Sequence, residues 1–456
     1  MIDLPLQASS HTFSTRRNDQ TAGHALSLWS MMALVVLAPL IRGGNRHIAL
    51  AVLECLALVV LLSMAWYAMS SALRTSVRPV SVAWIVLVTA PAWLVGWHWM
   101  PALLGQTDGP GLPTTSLGSA LVGLPLFASL LAGRYFSDQA IGVLARIFLL
   151  SALLQTGWGL LQVAGLDGLR FGQTSGGAAI GSFANRNTYS NYLVMALPWV
   201  VWRIAAHRHP ARSPGRHRMA TPVALAPQGW AWLAGLLLML SLLFLARSRT
   251  GIVTGLLVLL LALPLLLGWR SGRHDTARPL GRRWLLAGAA ALLGLALLAT
   301  GWEWLARFDA DHLMASDASR ALLRQTTWQA ALAHWPWGTG LGSYASAYPA
   351  WQPAEFGRHL IDLAHNDYLQ LFMELGLAFV PLASAVLWLL GRQLWRLWRQ
   401  PAPHGRTAHN RRQLQVAAGL GLLATALHAW VDYPFHIPAN AMMGCFLLGV
   451  FLRPVE

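Results

Sequence analysis

The sequence predicts an all-α, polytopic membrane protein with about twelve spanning helices and one long helical loop before the third-last span. Three observations predict it. Of 456 residues, 55% are hydrophobic and 11% charged, against the roughly 25% charged fraction of an ordinary soluble domain, which excludes a soluble enzyme. Apolar runs near the length a bilayer crossing needs, about 20 residues, recur along the whole chain. The 33 basic residues are all arginine and outnumber 17 acidic ones. They sit in short clusters between apolar runs, the pattern of basic membrane loops and not of a nucleic-acid-binding domain.

Residues 1–25 read as a cytoplasmic tail, because Arg16, Arg17 and Asp19 precede the first apolar run, which begins too late for a cleaved secretory signal. The candidate spans are 26–41, 47–69, 80–100, 116–133, 140–163, 187–206, 229–246, 250–269, 283–302, 371–391, 416–431 and 438–452. Nine of them fill residues 26–302 and three fill 371–452, with 453–456 as a short cytoplasmic end. The weakest is 116–133, interrupted by Gly118, Gly123 and Pro125. Basic loops stay in the cytoplasm. With both termini inside, 22 of the 33 arginines fall in cytoplasmic loops, and the ten in outer loops are matched by ten acidic residues.

The outer segment 303–370 is far longer than the other connections, and long loops held by a rigid scaffold are where function concentrates. Asp317 or Ser319 is placed to cap a helix in it, with Leu322, Leu323, Thr326, Ala330 and Leu332 at helical spacing and Pro336 and Gly338 at its end. Cys55 and Cys445 lie inside apolar segments without metal-ligand spacing and read as small core residues.

Five polar constellations interrupt this pattern. The first closes the long loop: Ala364-His365-Asn366-Asp367-Tyr368-Leu369-Gln370, then Glu374 and Gly376. On a helix His365, Leu369 and Phe372 share one face, and Asp367, Gln370 and Glu374 another. Polar groups at the mouth of a span are costly unless used. Asn366 or Asp367 suits a helix cap and Tyr368 an interfacial anchor, whereas His365 suits a general base, since imidazole takes up a proton near neutral pH.

The second is Arg247-Ser248-Arg249, a tight outer turn where arginine is disfavoured by the orientation rule; guanidinium forks suit phosphate oxygens, of a substrate or of lipid headgroups. The third is Arg320 and Arg324 at i and i+4. Like charges at that spacing repel unless they face an anion, with Asp317 and Asp309 as the structural alternatives. The Gly-rich stretch Trp335–Tyr344 follows, without the lysine of a phosphate-binding loop; its aromatics suit sugar stacking or loop anchoring. The fourth is Asn185-Arg186-Asn187 at the mouth of a span, fit for helix capping or for glycan binding. The fifth, His428, Asp432, Tyr433 and His436, lacks the second carboxylate or cysteine that a metal site would want, and no metal is expected.

Taken together, Phe183–Asn187, Ser248-Arg-Thr-Gly251, Arg324 four residues before Trp328, Pro336–Gly342, and His365–Gln370 with Glu374 and Gly376 resemble the bacterial O-antigen ligase and O-antigen polymerase superfamily over about residues 150–450. The resemblance implies a metal-independent, cofactor-free glycosyltransferase of the inner membrane with a periplasmic site. It implies a donor glycan on undecaprenyl diphosphate, His365 as general base, Arg249 and Arg324 holding the diphosphate, and Arg247 and Arg320 as their alternates. Asn185, Arg186, Asn187, Asp367, Tyr368 and Glu374 would bind the glycan or support the site. The acceptor would be lipid A-core for a ligase, or a second lipid-linked glycan for an O-antigen or exopolysaccharide polymerase. Protein glycosylation ranks third, because no added outer domain is evident. A solute transporter is the alternative from another class; its mid-span ionisable residues would be Glu54 and Arg146.

Overall fold

The computed structural model describes residues 9–44, 46–71, 82–104, 114–166, 177–210, 223–267, 310–358, 360–400 and 405–454. Their regular secondary structure is helical, apart from one short antiparallel pair, β1 (Arg208–Pro210) and β2 (Val223–Leu225). The helices are α1 (Ser9–Leu40), α2 (His47–Ser71), α3 (Val82–Leu103), α4 (Thr114–Tyr135), α5 (Asp138–Val163), α6 (Arg186–Ala206), α7 (Pro227–Leu245), α8 (Arg249–Ala262), α9 (Ala310–Ala333), α10 (Asp367–Leu375), α11 (Phe379–Arg399), α12 (Arg406–Ala429) and α13 (Pro438–Phe451).

Among the described residues five stretches are long and apolar enough to cross a membrane: Ile48–Tyr67, Asp138–Val163, Pro227–Leu245, Arg249–Leu267 and Asp367–Arg399. Ala25–Leu40 and Pro438–Phe451 are shorter apolar helices. The segments 116–133 and 187–206 lie within α4 and α6, the described part of 80–100 lies in α3, and 416–431 runs two residues past the end of α12, while the expected span 283–302 lies outside the described residues. The expected tail is already helical from Ser9, because α1 runs unbroken into the first apolar segment.

Helix α6 is the centre of the bundle. Every residue from Thr188 to Trp202 is buried, as expected of a helix enclosed by neighbours on all sides, and α5, α7, α8 and α12 surround it. A second seam joins α4 to α13, where Gly133 and Gly449 bring backbone against backbone: a Cβ on either would overlap the opposite helix's main chain. Small residues permit this close approach, and in a membrane such packing takes the place of the hydrophobic drive. At the end of that seam Arg453 and Arg411 both donate to Asp138, at 2.6 and 2.7 Å. The same Arg453 donates to the Phe136 carbonyl at 2.6 Å, and Ser137 caps α5 by accepting from the Ala140 amide.

Two expectations are corrected here. Cys55 is exposed and Cys445 only partly buried; in a bundle whose outer faces are apolar, an apolar neighbourhood does not mark the core. The loop helix α9 begins at Ala310, so Asp317 and Ser319 lie inside it instead of capping it.

Candidate active site

The closing motif of the long loop folds around a cap. Asn366 adopts extended backbone and its side chain accepts from the Leu369 amide at 3.0 Å, so α10 starts at Asp367. Residue 365 is therefore outside the helix and does not share a face with Leu369. It takes a left-handed conformation, φ 50°, which costs a non-glycine residue about 1 to 2 kcal/mol. The turn carries the imidazole away from α10 to Asp432, just beyond the end of α12. His365 Nδ1 lies 3.3 Å from Asp432 Oδ1, and its ring stands edge-on to Tyr433 at 4.8 Å. The histidine is 35% exposed and the carboxylate 1%, so the pair has one wet end and one dry end. Nδ1 facing a carboxylate is the N–H side, which leaves Nε2 as the basic nitrogen on the open side.

Asp432 is held from several directions. Asn187 Nδ2 donates to Oδ2 at 2.5 Å, the Tyr433 amide donates to Oδ1 at 3.0 Å, and His428 Nε2 stands 4.0 Å from Oδ2. Burial pushes this carboxyl upward, but the His365 contact, with the electrostatic pull of the neighbouring imidazoles and of Arg320, outweighs it and holds the group below the ordinary carboxylate range. It is an anion behind the histidine. Asn185 caps α6 by accepting from the Asn187 amide at 2.7 Å and donates to the Tyr433 hydroxyl at 2.6 Å. The segment 177–183 before it is pinned by two buried glutamines: Gln162 to the Gly181 carbonyl and the Ile180 amide, and Gln155 to the Ser182 amide.

Asp367 and Glu374 face inward. Asp367 is fully buried, pairs with His436 Nδ1 and accepts from the Phe435 amide at 2.7 Å. Burial lowers the His436 pKa, but the charge and hydrogen bond of Asp367 outweigh it, with Glu374 adding to the same effect, and the net shift is upward. Glu374 accepts from the amides of Gly342 and Tyr344 and from Gln370, so it ties the Gly-rich stretch to α10. That stretch lies flat on the helix end, with Gly340 donating to the Glu374 carbonyl at 2.8 Å and Leu377 to the Pro336 carbonyl at 2.7 Å. A Cβ at Gly338 or Gly376 would strike the opposing backbone, and both have positive φ. Tyr368 donates to the Ala426 carbonyl at 2.8 Å, fastening α10 to α12.

The arginines approach from two sides. Arg320 and Arg324 are half-buried on α9, and it is Arg320 whose charge acts on Asp432, His428 and Tyr433; Arg324 lies one turn further along. Helix α9 is seated by Thr326 and Thr327 on the hydroxyls of Tyr348 and Tyr344 and by Trp328 stacked on Phe372. Arg247, at φ 54°, points toward Gly177. Arg249 opens α8 behind its Ser248 cap, and Gly251 packs directly on Ser190 of α6. Since Ser190 is one turn from Asn187, the 246–251 turn, the 177–187 segment, the end of α12 and His365 share one end of the bundle. Arg186 is the first residue of α6 at that end.

Asp432 is the site residue that sequence reasoning missed. The spacing of His428, Asp432, Tyr433 and His436 raises a metal question in the sequence; here Asp432, Tyr433 and His436 partner His365, Asn187, Asn185 and Asp367, and His428 stands below Asp432. No group of three His, Cys, Asp or Glu side chains fit for a metal occurs among the described residues.

The protein is a helical membrane protein with a His–Asp pair at one end of the bundle, Arg320 acting on the pair and the 246–251 turn packed on α6 beside it. Residues 234–379 match the family model described as O-Antigen ligase, which supports the O-antigen ligase superfamily for this chain. The matched stretch holds His365 and all four candidate arginines, while Asn185, Asn187 and Asp432 lie outside it. No curated protein matches the chain.

Proposed function

We propose that the chain is a membrane glycosyltransferase of the O-antigen ligase type in the bacterial inner membrane. It moves a glycan from undecaprenyl diphosphate to a hydroxyl of lipid A-core on the periplasmic face. The observation that carries the reading is His365, with Asp432 behind Nδ1 and the other side of its ring open.

Nε2 takes the proton of the acceptor hydroxyl as its oxygen attacks the anomeric carbon. The bond from that carbon to the diphosphate oxygen breaks, the electron pair leaves with the diphosphate, and the configuration at the carbon inverts. Asp432 steadies the imidazolium, as an orienting carboxylate does beside a catalytic histidine. Arginines from the 247–249 turn and from α9 take up the diphosphate charge, Arg249 and Arg324 first and Arg247 and Arg320 beside them. Two forked cations supply the leaving-group stabilisation that a metal supplies elsewhere, and the reading needs no metal or cofactor. Asn185, Arg186, Asn187 and Tyr368 line the approach of the glycan or its frame.

Chain-length analysis of surface glycans tests this in a deletion strain complemented with the wild type or with His365→Ala. The expected result for His365→Ala is long polymer accumulating on its lipid carrier, unattached to lipid A-core. Single repeat units in place of long chains would make the protein a polymerase, and unchanged glycans would overturn the enzyme reading.

A further inference from the structure

Below Asp432, the seam between α6 and α12 holds polar groups that the transfer reaction leaves unused. The antiparallel register is fixed at two points. Asn187 donates to Asp432 at one end, and two turns along α6 the Met195 carbonyl lies against Gly421 of α12. Asn191 lies midway between Asn187 and Met195 and thus on the same face, and His428 lies one turn below Asp432. Both are buried, at 0% and 1%. Among the described residues, neither the Asn191 amide atoms nor the two His428 ring nitrogens have a hydrogen-bond partner. Leaving four such atoms unmet inside an apolar bundle is costly. His428 Nε2 is 4.0 Å from Asp432 Oδ2, a separation that one bent water bridge, or a small rotation of the ring, converts into a hydrogen bond.

We propose that His428, backed by Asn191 across the α6/α12 seam, is a positioning residue that holds the Asp432 carboxylate from beneath and so sets the proton affinity of His365. The inference rests on the reading of His365 as the base. Neutral imidazole donates from Nε2 to Asp432 Oδ2 while its Nδ1 accepts from the Asn191 amide. With this second donor on Oδ2 beside Asn187, the carboxylate shares less of its charge with the His365 ring. The charged and titratable groups around it are His365 and Asp367 from the loop and the start of α10, Arg320 from α9, Tyr433 from the turn after α12, and His428 itself.

The test is an NMR titration of the His365 ring in histidine-labelled protein in nanodiscs, its resonance assigned by its loss in His365→Ala. His428→Leu fills the space without a donor and is expected to raise the His365 midpoint by about half a pH unit or more. His428→Gln keeps a donor at the Nε2 position and is expected to return it. An unmoved midpoint in His428→Leu overturns the proposal, and so does an equal shift in the Leu and Gln variants, which would mark a packing role. If His428→Leu does not fold, Asn191→Leu reads the same relay from α6, with a smaller shift in the same direction expected and none overturning it. The titration needs no turnover: transfer that survives His365→Ala would sink the base reading alone, while a failed titration would sink this relay alone.

Discussion

Asn187 at the start of α6 donates to the carboxylate of Asp432, 245 residues away in sequence, and that carboxylate stands behind His365. A side chain that looks like part of a helix cap is thus a brace of the proposed base. The cap role itself falls to Asn185, which frees Asn187 to reach across to the end of α12.

Asp432→Asn keeps the shape of the side chain but replaces one acceptor oxygen with a donor and removes the charge facing His365 Nδ1. Transfer in detergent with a lipid-linked glycan donor should fall by about 10- to 1,000-fold, mostly in kcat and with little change in donor KM. A change confined to KM would assign Asp432 to substrate binding instead.

Arg320→Lys and Arg249→Lys keep one positive charge and lose the fork. Each should reduce transfer by about tenfold or more if the group grips a diphosphate. Full activity in both would assign these arginines to lipid headgroups. Because Arg320 also acts on Asp432, its variant should change the pH profile of transfer, and the Arg249 variant should not.

His436 is held above its ordinary pKa by Asp367. A group whose pKa is raised on folding binds protons more tightly in the native state, so its stabilisation is complete below the unfolded value of about 6.5 and is lost as pH rises through the folded value. Thermal stability in detergent should therefore decline as pH rises above about 6.5, and His436→Gln should flatten that decline while lowering stability on the acidic side. An unchanged slope would refute the pairing. Asp432, with a lowered pKa, works the other way. Its contribution is present above about pH 4 and is lost as pH falls toward the folded value.

Gly376→Ala adds a methyl group where the Pro336 backbone already touches, at a positive φ. It should cost about 2 kcal/mol or more, read as a fall in melting temperature, and it should impair transfer by displacing the stretch that Glu374 holds. Gly391→Ala, whose Cβ position on α11 meets nothing within 4 Å, is the control and should melt like the wild type.

The helical class was legible in the sequence because it is written in consecutive residues as apolar runs, and His365 and the two arginine pairs stood out as candidates because they break those runs. The His365 geometry was not, since Asn366 takes the cap and forces the preceding residue into a left-handed turn that no periodicity signals. Nor was the role of Asp432 legible, because its partners come from α6, α9 and the loop, and only folding brings them together. Asp367 and Glu374 were visible as polar groups at a span mouth. Their burial was not visible, because Asp367 is met by His436 and the Phe435 amide beyond α12, and Glu374 by the amides of the Gly-rich stretch lying against α10. Cys55 misled in a way particular to membranes, where the outside of a bundle is as apolar as its inside.

The order in which this site is completed follows from where its parts lie along the chain. Asn187 is made first, then the 246–251 turn, then α9 and His365, and the carboxylate that steadies the histidine comes last, just before the final helix. A nascent chain halted between residues 370 and 432 carries the proposed base, the candidate cations and the loop, yet has nothing behind the imidazole. Under the proposed function, transfer would therefore wait on the insertion of the last two helices.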